Sequence, residues 1–166
     1  MQSKYLKKAL SLFPCLVKVL HHKFAPSDFE LTDKLYRGYT RADIDDESQL
    51  LQANSIRFPD FSCNWNLFSR PKDIRKRING KPTDGCYSFP VAIARYNKMA
   101  TTCHDPLPQM FAHTEIRQLR PNEDIYFEPP PKRDLYKEID GWSRSKRFNY
   151  RQNIVNNHVI ELEAER

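Results

Sequence analysis

Apolar residues at Leu6, Leu10, Phe13, Leu16 or Val17, and Leu20 recur every three or four positions, which predicts an amphipathic helix over residues 3–24, kinked at Pro14. Ser27 followed by Glu30 has the spacing of a capping box and predicts a short second helix. The period then changes to two. Residues 34–40 alternate as a strand does, with Gly38 permitting a bend, and residues 55–61 predict a second strand that Pro59 confines to an edge or an end. Between them, residues 45–54 open on Asp45, Asp46 and Glu47, acids that favour the first turn of a helix. Residues 86–94 and 111–119 are apolar enough for buried strands or, for the first, the start of a helix. Residues 125–128 predict a short strand ended by Pro129, Pro130 and Pro131, and residues 158–162 alternate clearly. Helices first and strands afterwards predict a single α+β domain over residues 1–166: an N-terminal helical segment, residues 1–27, packed on a mixed or antiparallel sheet built by residues 28–166.

Composition narrows the class. The chain of 166 residues holds 10 Phe, 8 Tyr and 2 Trp, and each ring buries ~150–250 Å², so an ordered core is expected although hydrophobic residues are only 39%. Four Gly and 12 scattered Pro exclude collagen and a long coiled coil, and four Cys are too few for a disulfide scaffold. The apolar stretch at residues 9–20 is interrupted by Pro14 and Lys18 and followed by His21, His22 and Lys23, unlike a secretory signal. The expectation is a cytoplasmic protein with reduced thiols and no membrane partner.

Several chemistries drop out. The chain has no Gly-rich phosphate loop, no nucleophile elbow and no His-Glu-x-x-His. Cys86, Cys103, His104 and His113 lack the Cys-x-x-Cys pair of a structural zinc site, so no metal is expected. The densest window of polar chemistry is residues 101–117, with His104, Asp105, His113, Glu115 and Arg117. If residues 112–117 form a strand, His113, Glu115 and Arg117 share one face.

An arginine on an early strand at Arg37, a Phe-Ser strand end at Ser62 and a glutamate on a late strand at Glu115 resemble the Arg, Ser, Glu order of mono-ADP-ribosyltransferases. The resemblance implies NAD as cofactor and a toxin-like effector that modifies a macromolecular acceptor. In that family the arginine holds a phosphate or ribose of NAD, the serine shapes the nicotinamide pocket and the glutamate stabilises the developing positive charge. Carried over, these are Arg37, Ser62 with Ser69 as substitute, and Glu115 with Glu161 as rival. His113 and His104 would be auxiliary groups orienting the ribose or the acceptor.

Charge supplies the competing reading. Net charge is +6, with 27 Lys plus Arg against 21 Asp plus Glu, and the isoelectric point is near 9.2. One basic patch comprises Arg70, Lys72, Arg75, Lys76 and Arg77. A second includes Arg144, Lys146, Arg147 and Arg151, among the aromatics Trp142, Phe148 and Tyr150. Phosphates favour such surfaces by counterion release, and exposed rings can stack on unpaired bases. The alternatives to transferase chemistry are thus a basic module binding nucleic acid or a protein partner, such as an inhibitor or a larger assembly, and a nuclease using His104 and His113 as acid and base.

Overall fold

A computed structural model describes residues 23–56, 61–74, 85–129 and 142–163. The expected helix at residues 3–24 lies almost wholly outside them. Among the described residues six strands build one sheet: β1 (Lys34–Tyr39), β2 (Phe61–Trp65), β3 (Gly85–Pro90), β4 (Ala100–His104), β5 (His113–Gln118) and β6 (Val159–Leu162). Their order is β4-β5-β2-β1-β3-β6, and every neighbouring pair is antiparallel, which resolves the expected mixed or antiparallel sheet. Among the described residues three α-helices accompany it: α1 (Pro71–Ile74), α2 (Val91–Ala94) and α3 (Arg144–Asn156). The class is α+β. No helix among the described residues is long and apolar enough to cross a membrane.

The pleat gives the sheet two unlike faces. Leu35, Tyr39, Phe61, Trp65, Tyr87, Phe89 and Ile116 point to one side, where all are buried. Tyr150, Ile154 and Val155 of α3 join the same core cluster, as do Phe24 and Phe29. The Tyr150 hydroxyl donates to the Ala94 carbonyl, and Trp142 Nε1 donates to the Leu119 carbonyl at 3.2 Å. The Tyr39 ring lies across Gly85, its register partner, so closely that a Cβ there would collide with it.

Local hydrogen bonding overrides pattern in several places. Residues 45–54 form no α-helix, and their end enters a 3₁₀ turn over Ala53–Ser55. Asp45 Oδ1 accepts from the Ser48 amide and hydroxyl, both at 2.8 Å, Gln49 takes φ 57°, and Ile44 bridges Leu51, so the segment folds into a tight loop. Residues 125–128 are a turn, because the Tyr126 and Phe127 amides both donate to Asp124. The Ser27 capping box is replaced by a 3₁₀ turn over Pro26–Asp28, in which Asp28 accepts from the Ala25 amide at 2.9 Å. Residues 86–94 combine both expected forms, strand β3 running directly into α2. Of the strand expected at residues 55–61, residues 57–60 lie outside the described residues; Ser55 ends a 3₁₀ turn and β2 runs from Phe61 to Trp65, while β4 is a strand with no hydropathy signal.

Candidate functional site

On the side of the sheet away from the core, β5 presents His113, Glu115 and Arg117 together, as strand alternation requires. Glu115 lies opposite Ser62 on β2 and Cys103 on β4, and His113 lies opposite Asn64. Arg117, only 7% exposed, organises this face. Its Nε donates to Glu115 Oε2 at 2.9 Å, and Nη1 donates to the Pro129 carbonyl at 2.9 Å. Its Nη2 lies 2.7 Å from Glu115 and 3.3 Å from Asp105. Burial works against the Arg117 charge, yet the Glu115 hydrogen bond and the nearby carboxylates together hold its pKa above the ordinary arginine value. Glu128, within 3.9 Å of Arg117, also pairs with Lys23. His113 Nδ1 is 2.7 Å from the Asp105 carbonyl, which fixes the ring and makes Nδ1 the protonated nitrogen when it is neutral.

Arg37 sits on the other side. It shares the parity of Leu35 and Tyr39, its guanidinium carbon lies 4.6 Å from the Phe61 ring centroid, and its Nη1 donates to the backbone carbonyl of Ser62 at 2.5 Å. Of the Arg, Ser, Glu set, the structure therefore brings Ser62 and Glu115 together and leaves Arg37 across the sheet from both. Ser69 is buried, with its hydroxyl 3.4 Å from the Arg70 carbonyl. Glu161 on β6 accepts from Lys34 and Ser88, both at 2.7 Å, far along the sheet from Ser62.

The paired histidines also separate. His104 has the parity of Thr102, opposite Ile116, and is fully buried against Phe24, Trp65, Phe68 and Phe111. Nδ1 accepts from the Phe24 amide at 3.2 Å, and Nε2 is 2.6 Å from the Phe111 carbonyl. Both nitrogens are occupied by backbone, so His104 is a core residue and does not share a site with His113. Cys103 and His104, adjacent on one strand, likewise point to opposite faces.

The basic residues give a third arrangement. Arg70 and Lys72 are exposed around α1, whereas Arg75, Lys76 and Arg77 lie outside the described residues. Arg144, Lys146 and Arg147 open α3, whose 13 residues include four cations, with Arg151, and no acid. At about 100° per residue, Arg144, Arg147, Phe148 and Arg151 fall within about 100° of one another along one flank, and Lys146 lies about 150° away from the centre of that ridge. Phe148 is 56% exposed, whereas Trp142 and Tyr150 are buried in the core. Burial, and then the Arg147 charge, depress the pKa of Arg151, and its buried Nε has no hydrogen-bond partner. Among the described residues no ion pair holds Arg144, Lys146 or Arg151.

The basic count marks Arg144, Lys146, Arg147 and Arg151 alike; the helical period sets Lys146 apart and lines up the other three with Phe148. Arg95 carries no sequence signal. It is 5% exposed, and its Nη2 donates to the Pro26 carbonyl and Thr102 Oγ1, at 2.5 and 2.6 Å, tying the 3₁₀ turn at Pro26–Asp28 to β4. No protein-family model, curated protein or solved structure matches this chain.

Proposed function

We propose that this protein is a basic binding module whose α3 ridge docks on nucleic acid. The observation that supports this reading is the charge of α3: four cations, no acid, and three of the cations in the first four residues. A helix N-terminus already carries about half a positive charge, so each cation there costs ~0.3–1 kcal/mol, and Arg147 and Arg151 add a like-charged i,i+4 pair. That arrangement opposes helix stability. A line of phosphates relieves it, because each arginine can hold a phosphate in a planar, bidentate contact.

The test is equilibrium binding to oligonucleotides over a range of salt. Affinity should fall linearly on a log–log plot, and the paired substitution Arg144→Gln and Arg151→Gln should reduce the slope by about 1.4 on a single strand, at about 0.7 per lost phosphate contact. Polyglutamate is the control. Equal binding to polyglutamate would reduce the reading to general polyanion attraction, and no binding at low salt would remove it.

A second reading, NAD-dependent ADP-ribosyl transfer, is favoured by the cross-strand pairing of Ser62 with Glu115 on the polar face. Arg37, on the opposite face, is not available to clamp NAD beside them. This reading predicts nicotinamide release from NAD that is lost on Glu115→Gln. Its absence from the unaltered protein, with candidate acceptors present, would end it.

A further inference from the structure

We infer that Phe148 is a stacking platform for an unpaired base, so that the α3 ridge selects single-stranded over double-stranded nucleic acid; the inference rests on the nucleic-acid reading above. Phe148 is 56% exposed on a helix whose other large apolar residues, Tyr150, Ile154 and Val155, are buried. Its neighbours along the ridge are Arg144 four residues before, Arg147 one before and Arg151 three after. Residues three and four apart on a helix bring their Cβ atoms to about 5–6 Å, so the ring has an arginine position on the helical turn to either side, Arg144 and Arg151. From Arg144 to Arg151 the helix rises about 10 Å, the rise of about three nucleotides at 3.4 Å each. One ring therefore stands midway along a stretch of backbone that the arginines span.

The two forms of nucleic acid meet this surface differently. A duplex offers phosphates to the arginines but keeps the faces of its bases stacked inside, where a ring on a convex helix does not reach them. A single strand offers the same phosphates and also free base faces. Both gain the electrostatic contribution, and only the single strand gains stacking, which is worth about 1–3 kcal/mol per base, or about 5- to 150-fold in affinity. Planar guanidinium groups beside the ring extend the platform, because arginine itself stacks on aromatic and base surfaces.

The experiment compares the full chain with Phe148→Ala and Phe148→Trp, using one short mixed sequence as single-stranded DNA, single-stranded RNA and duplex DNA. Phe148→Ala should weaken single-strand binding about 5- to 150-fold while duplex affinity and the salt slope stay unchanged, and Phe148→Trp should restore or strengthen it. The ring is exposed, so the melting temperature of both variants should match the unaltered protein and a folding defect is easily separated. Equal weakening on single strand and duplex, or no weakening on either, overturns the stacking inference while the phosphate reading stands on its salt slope. Failure of the unaltered protein to bind any of the three at low salt removes the parent reading and this one with it. The DNA and RNA arms then show whether the 2′-hydroxyl contributes.

Discussion

Lys34 Nζ on β1 lies 2.7 Å from Glu161 Oε1 on β6, bridging two strands that are separated by β3, and Ser88 of β3 donates to the same oxygen at 2.7 Å. The Lys34 hydrogen bond, then the Ser88 hydrogen bond, hold the Glu161 pKa below its ordinary 4.5. The hydrogen bond to Glu161 is also the largest effect on Lys34, whose pKa is raised above 10.5. A depressed carboxylate stabilises the fold above its unfolded pKa and loses that contribution as pH falls through the folded value. A raised lysine stabilises below its unfolded pKa and loses its contribution as pH rises through the folded value. Glu161→Gln should therefore flatten stability at both ends, below about pH 4.5 and above about pH 10.5. Urea midpoints measured across pH test this, and superimposable curves for the two proteins would refute it.

Arg117 is the cation that lets Glu115 and Asp105 share one face. Its replacement by Ala leaves two carboxylates facing each other across a half-buried space. Removing one partner of a fully buried pair costs ~3–5 kcal/mol; both carboxylates keep some water here, so Arg117→Ala should cost about 2–3 kcal/mol. Glu115→Gln keeps an acceptor and should cost about 1 kcal/mol. Denaturant unfolding ranks the two. The reverse order would mean that Glu115, not Arg117, holds the cluster together.

His104 should behave as a packing residue in every assay. His104→Phe keeps an aromatic ring but leaves the Phe24 amide and the Phe111 carbonyl without their partner, at about 1–3 kcal/mol for each buried group. His104→Ala loses the same two hydrogen bonds and adds a cavity among Phe24, Trp65, Phe68 and Phe111, so it should cost more than His104→Phe. Thermal unfolding reads both losses. A His104 variant of unchanged stability that abolished cleavage of nucleic acid would contradict the role assigned here.

What could be read from the sequence, and what could not, follows from where the information sits. The strands at Lys34–Tyr39 and Val159–Leu162 are legible because each has one apolar register, and the shared face of His113, Glu115 and Arg117 follows from spacing alone. The same alternation sets Arg37 between Leu35 and Tyr39, so its place on the core side is written locally although a motif resemblance draws attention elsewhere. Strand β4 reads Ala-Thr-Thr-Cys-His and is buried at all five positions without one large aliphatic residue, so no hydropathy pattern reveals it. The separation of His104 from His113 depends on the β4–β5 register, a non-local property. Asp45 shows the opposite failure: acids that suggest a helical first turn instead close a loop through side-chain hydrogen bonds.

Buried thiols give a further check on the sheet. Cys63, Cys86 and Cys103 are buried thiols, and burial pushes Cys63 and Cys103 each up to about 12. Because the thiolate is the reactive form, a Cys15→Ser variant should resist thiol reagents at neutral pH and label all three cysteines only as it unfolds. Rapid labelling in native buffer would show that β2, β3 or β4 is accessible.

The first turn of α3 offers a test in which stability and binding move in opposite directions. Ser143 caps the helix by accepting from the Lys146 amide at 3.3 Å, and the positions that would ordinarily hold acids hold Arg144, Lys146 and Arg147 instead. Arg144→Glu with Lys146→Glu reverses two charges at the positive end of the macrodipole, at ~0.3–1 kcal/mol for each. The doubly substituted protein should gain about 1–2 kcal/mol, which for a domain of this size raises the melting temperature by about 2–8 °C. The same change places one carboxylate on the ridge, at position 144, and removes a cation from the helix's other flank; it should weaken oligonucleotide binding by more than tenfold, since a lost phosphate contact is joined by repulsion. A stabilised protein with undiminished affinity would show that the N-terminal turn of α3 takes no part in the interface. A destabilised one would show that the cations at the start of the helix are held by structure rather than kept for a ligand.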